Sequence, residues 1–196
     1  MLVRPSRPAL ATSHRLWGVR LDTGWVVVDS AQANAAVHAA LLHGGLRWPG
    51  LPGPWRREVA LGGVRIDFAS ESDAGAAAWL ETKCVTLVEA GVALFPDAPS
   101  RRAERQLQAL VEERRRGARV IWLFLVQRSD ATAFAVHAGH DPRFASAVEA
   151  ARAAGVEFLA YGCRVRPGSM AVAGPLPFVD EKSVTSRTST RSSEST

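Results

Sequence analysis

Lysine is nearly missing from this chain: two lysines, Lys83 and Lys182, stand against 22 arginines. An arginine bias of this size, alongside abundant alanine, reflects genome base composition more readily than selection for phosphate contact. The formal charge of +5 and the pI near 10.2 therefore favour an anionic partner without naming one. Cysteine is as scarce. Cys84 and Cys163 allow a single pairing, and both fall in apolar runs where a thiol packs as a small hydrophobe, which argues against a disulfide framework. No apolar stretch approaches the ~20 residues of a membrane helix. The longest candidate, VIWLFLV at residues 120–126, has strand length. The basic start MLVRPSRPALATSHR lacks the continuous apolar segment of a secretory signal, so a cytoplasmic protein with no membrane partner is expected. Glycine-rich phosphate loops, G-x-S-x-G elbows and internal repeats do not occur either. His137 and His140 share the segment AVHAGHD with no cysteine or third histidine nearby, which argues against zinc and for exposed polar side chains.

What is present suits one well-buried domain: 196 residues with 47% hydrophobic content fill one core and not two generous ones. RLWGVRL and GWVVVDS read as a hairpin about the turn DTG. SAQANAAVHAALLHGG reads as a helix with Ser30 as N-cap and Gly44 as stop. The proline- and glycine-rich LRWPGLPGPWR is a loop. Three strands follow, REVAL, VRIDFAS and AWLETKCVTL. Then comes a helix, SRRAERQLQALVEERRRG, capped by Ser100 and ended by Gly117. The buried strand RVIWLFLVQ precedes a helix with Pro142 in its first turn, and VEFLAYGCRV closes the core. A flexible leader is expected over 1–13, a folded domain over 14–178, and a disordered Ser/Thr-rich tail over 179–196. Helices alternating with apolar strands indicate an α/β sheet covered on both faces.

Strand alternation puts Val64, Ile66 and Phe68 on one face and Arg65 and Asp67 on the other; on the next strand Trp79, Glu81, Lys83 and Val85 share a face. If the two strands are neighbours, Asp67, Glu81 and Lys83 converge. Two carboxylates offer hard oxygen ligands to a divalent cation such as Mg²⁺, and a lysine beside them can orient a water or stabilise developing charge. The same residues also make an ordinary cross-strand salt bridge, worth at most about 1 kcal/mol on an exposed face. Spacing alone leaves both readings open.

The run WLETKCVTLVEAGVALFPDAPSRRAERQL resembles the sugar fermentation stimulation protein A (SfsA) family, whose members carry VEVKSVTL…ALFPDAPTxRGxxHL. VDSAQANAAVHAAL is similar to that family's VNTxxxNxLVxEAL, WRREVALGGVRIDF to REVxxGxSRIDF, and DPRFASAVEAARAAGVEFLAYGCRV to DPxFAxxLxxAxxxGVExLAYxCxV. Together they cover roughly residues 13–178. The resemblance implies an α/β, restriction-endonuclease-like PD-(D/E)xK fold, a mixed sheet flanked by helices. In the family this domain follows an OB-like N-terminal domain. About thirty residues precede the first helix here, so that OB-like domain is expected to be largely missing. By the same resemblance Asp67 matches the motif aspartate, and Glu81 and Lys83 match its E-x-K pair. Asp67 and Glu81 would bind Mg²⁺ or Mn²⁺. Glu58 and Asn34 match further polar positions that could line the site. The family's RGxxHL reads RAERQL, with Gln106 for histidine, which removes any role of a cationic imidazole. Cys84 stands where the family has serine and points away from Glu81, a packing change.

Arg101, Arg102 and Arg105, in the first turns of the second core helix, are candidates for phosphate contact, since helix N-termini favour anions. Leu107, Leu110 and Val111 should face the core, while Glu112, Glu113, Arg115 and Arg116 form a solvated face with i,i+3 pairs. Two functions follow. One is a Mg²⁺-dependent nuclease with nucleic acid, DNA first, as partner. The other is a non-catalytic DNA-binding or regulatory protein of sugar metabolism whose nuclease site is vestigial. A homodimer is one assembly this reading leaves open.

Overall fold

The structure, a computed structural model, describes residues 1–5, 12–48, 53–71 and 77–184. Strands β1 (Leu2–Pro5), β2 (His14–Leu21) and β3 (Gly24–Val27) form an antiparallel three-stranded sheet in that order. The β2–β3 hairpin is the expected one. The leader expected over 1–13 is corrected at Leu2–Pro5: these residues pair with β2, and the Arg4 guanidinium lies 5.0 Å from the Trp17 ring centroid and donates to the Gly168 carbonyl. A cation over an indole face and a ladder partner are enough to order a short basic strand. Residues 6–11 of that leader lie outside the described residues.

Helix α1 (Ala31–Leu42) forms where its pattern predicts, but Ser30 is not its cap. Ser30 is already helical, at φ −60° and ψ −26°. Asp29 takes the role instead, accepting from the Ala31 N–H at 3.2 Å and from Gln32 Nε2 at 2.9 Å. β4 (Arg56–Leu61), β5 (Val64–Glu71) and β6 (Ala77–Val85) then run as an antiparallel meander. After β7 (Val88–Glu89) and β8 (Val92–Phe95) comes α2 (Arg101–Arg115), where Ser100 Oγ accepts from the Ala103 N–H at 3.2 Å, as expected of its cap. β9 (Arg119–Val126), β10 (Ala133–Val136), α3 (Pro142–Ala153), β11 (Glu157–Arg166) and β12 (Ser169–Pro175) complete the chain.

The main sheet has six strands in the order β12-β11-β9-β6-β5-β4, with β6, β9 and β11 parallel at its centre and antiparallel strands outside them. This is a mixed α/β sheet with helices on both faces. Central β9 shows why. Val120, Trp122, Phe124 and Val126 pack with Leu107 and Leu110 of α2 and Phe144 and Val148 of α3. The alternate residues Ile121, Leu123 and Leu125 pack with Ala33, Ala36 and Val37 of α1. A strand buried on both sides has no polar face to alternate with, which is how RVIWLFLV reads. The second small sheet, β10-β8-β7, was not legible in the sequence, because four-residue runs such as VALF and AFAV are too short to show a period; the edge strand β12, SMAVAGP, is not among the expected elements either.

The tail expected over 179–196 is corrected at its start. Val179 and Val184 pack against Val92, Leu94, Ala133 and Ala135, and Glu181 accepts from the Gly139 N–H at 3.0 Å. Two valines within the first six residues of a polar segment cover the open face of the small sheet; residues 185–196 lie outside the described residues. Both cysteines are free. Among the described residues no helix is long and apolar enough to cross a membrane.

Phe124 joins the two sheets: its ring lies 4.3 Å from that of Phe134 on β10 and 5.3 Å from that of Phe95 on β8. Phe124→Ala is expected to lower the unfolding free energy by ~3–5 kcal/mol, read from the urea midpoint, because a fully buried ring leaves a cavity that a sheet on each side cannot close.

Candidate active site

β5 and β6 pair regularly as far as Phe68 opposite Leu80. One residue beyond, side chains take over the ladder. The Asp67 N–H donates to Glu81 Oε2 at 3.1 Å, and the Thr82 N–H donates to Asp67 Oδ2 at 2.9 Å. On the other flank, Arg57 lies opposite Phe68 and Val59 opposite Ile66, and Glu58 between them has φ +56°. Left-handed backbone at a residue other than glycine costs of order 1–3 kcal/mol and needs surroundings that enforce it. The distortion breaks the alternation of β5. Ile66 packs with α2 and α3 while Phe68 packs on the α1 side, so the expected shared face of Val64, Ile66 and Phe68 is corrected at Phe68. Period-two reasoning assumes an unbroken pleat, and here the pleat skips at Asp67.

The skip brings the expected residues together by a different route. Asn34, in the first turn of α1 and the chain's single asparagine, donates from Nδ2 to Asp67 Oδ1 at 2.6 Å. Lys83 shares a face with Glu81 and donates to Glu81 Oε1 at 2.5 Å and to Gln106 Oε1 at 2.6 Å. Its ammonium stands 4.7 Å from the Trp122 ring centroid. Gln106, on the buried face of α2, donates from Nε2 to the Arg65 carbonyl at 2.7 Å. Cys84 packs on the α1 side, away from Glu81 as expected.

Two carboxylates and one ammonium leave this cluster one negative charge in excess when all are ionised, and Glu81 is only 2% exposed. Burial pushes the Glu81 carboxyl up to about 7; the Lys83 ammonium pulls against that rise and the Asp67 charge adds to it. Burial also raises Asp67, opposed by the Thr82 N–H, Asn34 and Lys83, and assisted by the charge of Glu58.

Asn34, Asp67, Glu81, Lys83, Asp97 and Arg102 line a cleft of about 490 Å³. A neighbouring concavity of about 780 Å³ is walled by Gly62, Arg65, Arg102, Arg105 and Gln106. Arg102 thus borders both, Arg105 only the second, and Arg101 is exposed and lines neither. None of these three arginines is ion-paired among the described residues. Glu58 does not line the cleft. Its half-exposed carboxylate faces Arg65 at 3.9 Å. The solvated face of α2 is as expected, with Arg115–Glu112 at 2.5 Å and Arg116–Glu113 at 2.6 Å.

Among the described residues no three His, Cys, Asp or Glu side chains gather as a protein-only metal cage would require. The donor set does fit a cation that keeps much of its water: two carboxylates supply hard oxygens, and each oxygen retains a lone pair beyond the hydrogen bond it accepts. Gln106 and Asp97 are the residues that sequence reasoning did not place here. For Asp97 the available signal was its position in FPDAPS. For Gln106 it was the helical spacing that puts it beside Ala103 and Leu110, on the buried side of α2.

Fold and site together define a mixed-sheet α/β domain with a buried carboxylate–lysine cluster at a break between two strands, open to an arginine-edged cleft. Comparison with known proteins gives the family. A model described as "Sugar fermentation stimulation protein RE domain" matches residues 31–169. The chain belongs to the SfsA family. A sugar fermentation stimulation protein homolog of Moorella thermoacetica is 36% identical over 164 residues, which cover 81% of this chain and 68% of that protein. A homolog of Chloroflexus aggregans is 39% identical over 166 residues, covering 85% and 64%. The chain thus spans about two thirds of the length of these relatives. Among solved structures, Pyrococcus furiosus SfsA in complex with Ca²⁺ is similar with a TM-score of 0.81 and 27% identity, over 90% of this chain and 76% of that one.

The raised Glu81 carboxyl has a consequence for stability. Between its ordinary value of 4.5 and about 7, the folded chain holds a proton that the unfolded chain has released. Stability from this group is therefore fully present below that window and is lost as pH rises through it. Glu81→Gln does not titrate. Its urea midpoint relative to wild type is expected to move in the variant's favour as pH is raised from 5 to 8; a constant difference would contradict burial as the dominant influence.

Proposed function

We propose that this chain is a divalent-cation-dependent nuclease of the restriction-endonuclease-like PD-(D/E)xK type, acting on nucleic acid and on DNA first. The observation that carries the reading is the meeting of Asp67, Glu81 and Lys83 at one gap in the sheet, in a cleft edged by Arg102, which makes no ion pair among the described residues. An isolated salt bridge would need neither the broken ladder nor the cleft. Asp67 and Glu81 hold Mg²⁺, or Mn²⁺ in its place. The solved relative's complex with Ca²⁺, another cation that prefers carboxylate oxygens, supports this.

The bound cation supplies Lewis-acid polarisation of a phosphoryl oxygen and acidifies a water. Lys83 donates toward that water and the charge growing on the phosphate. Arg102, and Arg105 beyond it, hold the neighbouring phosphates of the strand along the second concavity. Water oxygen bonds to phosphorus and gives up one proton to solvent, the bond from phosphorus to the leaving sugar oxygen breaks, and that oxygen takes up one proton from solvent. Asn34 fixes the Asp67 carboxylate by its 2.6 Å hydrogen bond, which keeps one oxygen turned to Thr82 and the other to α1.

A second reading has its own observation. All four carboxylate oxygens of Asp67 and Glu81 already accept internal hydrogen bonds, so the cluster is satisfied without a ligand. On that basis the domain is a non-catalytic DNA-binding or regulatory protein of sugar metabolism, in keeping with the name its relatives carry.

Cleavage assays on single-stranded DNA, double-stranded DNA and RNA, with Mg²⁺, Mn²⁺ or chelator, separate the two. The nuclease reading expects metal-dependent cleavage that falls on the order of 10²–10³-fold in Lys83→Ala, the loss typical of one donor to a developing oxyanion. Equal cleavage by wild type and variant would remove the assignment from this site.

Binding is a second test. Affinity for nucleic acid should fall with rising salt, and Arg102→Ala should weaken it and flatten the salt dependence by about one counterion. No detectable complex at low salt ends the nucleic-acid reading.

A further inference from the structure

We propose that Gln106 is a positioning residue for Lys83, holding its ammonium over the face of Trp122 so that one N–H remains for a ligand in the cleft. The inference rests on the nuclease reading for the meaning of Lys83, and on geometry for the contact itself. A lysine on a four-carbon stem has no preferred direction of its own. Here three contacts fix it: Glu81 Oε1 at 2.5 Å, Gln106 Oε1 at 2.6 Å and the Trp122 ring at 4.7 Å. Two of the three N–H groups are thereby used, and the side chain is 14% exposed, toward the cleft it lines.

The orientation of the Gln106 amide is not free to reverse. Its Nε2 donates to the Arg65 carbonyl at 2.7 Å, an acceptor that cannot become a donor, so Oε1 must face Lys83. Gln106 is 1% exposed, and Ala103, Leu107 and Leu110 fix the same face of α2 in the core. The two acceptors on Lys83 also differ in kind. Glu81 is the one that a cation would engage; Gln106 has no charge to lend to a metal, so it keeps its hold on Lys83 when Glu81 turns an oxygen elsewhere.

Any side chain with one donor and one acceptor in this span can do the same work. A neutral imidazole has both, a leucine neither. Histidine in place of Gln106 would therefore add a titrating group and retain the positioning contact.

The scarcity of lysine makes the test clean. Protein made with ¹³C-labelled lysine has two ε-methylene signals, Lys83 under the ring current of Trp122 and the exposed Lys182 as internal reference. In Gln106→Leu the Lys83 signal is expected to move toward that of Lys182, and kcat for nucleic-acid cleavage to fall on the order of 10²-fold at unchanged KM, the cost of a misplaced catalytic group. Gln106→His is expected to restore both. Gln106→Met serves as the second apolar variant should the leucine protein fail to fold. An unmoved Lys83 signal in a folded apolar variant overturns the proposal, as does a signal that moves and is not restored by histidine. Wild-type protein that cleaves nothing defeats the nuclease reading alone, and the lysine signal still decides the contact.

Discussion

At Asp67 and Thr82 two backbone N–H groups have no strand partner, and the carboxylates of Glu81 and Asp67 accept from them instead. A buried N–H left unpaired costs about 1–3 kcal/mol, so this exchange lets the sheet open between β5 and β6 without unravelling. Everything near the cleft depends on it. The opening gives Asn34 and Lys83 something to bond, and it sets Ile66 and Phe68 into two different cores. It also gives the carboxylates two tasks at once. Under the proposed function, the groups that would take a cation are those that hold β5 to β6, so binding a cation there would bear on the sheet itself.

Much of the architecture was legible. The continuous apolar run of β9, the capped start of α2, Pro142 in the first turn of α3, and the hairpin at Asp22 to Gly24 each carry their own local signal, and each forms where that signal puts it. What escaped were elements whose reason is elsewhere in the chain. β8 and β10 are strands because they pair with each other across some forty intervening residues, and Val184 is buried because it covers the sheet they make. Arg4 orders the first strand through Trp17 and Gly168, neither of which is close to it in sequence.

The site was half legible in the same sense. The residues themselves stood out, with Lys83 one of two lysines and Asp67 and Glu81 on neighbouring strands. Their convergence does not come from the alternation that pointed to it. The pleat skips at Asp67 under Glu58 at φ +56°, and a skip leaves no mark in residue type. Gln106 shows the converse. Set against the family motif that the sequence resembles, it reads as a loss, because that motif carries a titrating ring there. In the fold it is a bidirectional amide between a carbonyl and an ammonium, and that role depends on partners from β5 and β6.

One contact joins the two halves of the α2–α3 layer. Asp141 caps α3 by accepting from the Phe144 N–H at 3.0 Å, and its other oxygen accepts from the backbone N–H of Ser100 at 3.3 Å, the residue that caps α2. The beginnings of both helices are thus tied through one carboxylate, across 41 residues of chain. The arginine-bearing end of α2 is therefore held from outside its own helix: the pose of the basic rim of the cleft depends on how α3 is seated as well as on the cap of α2.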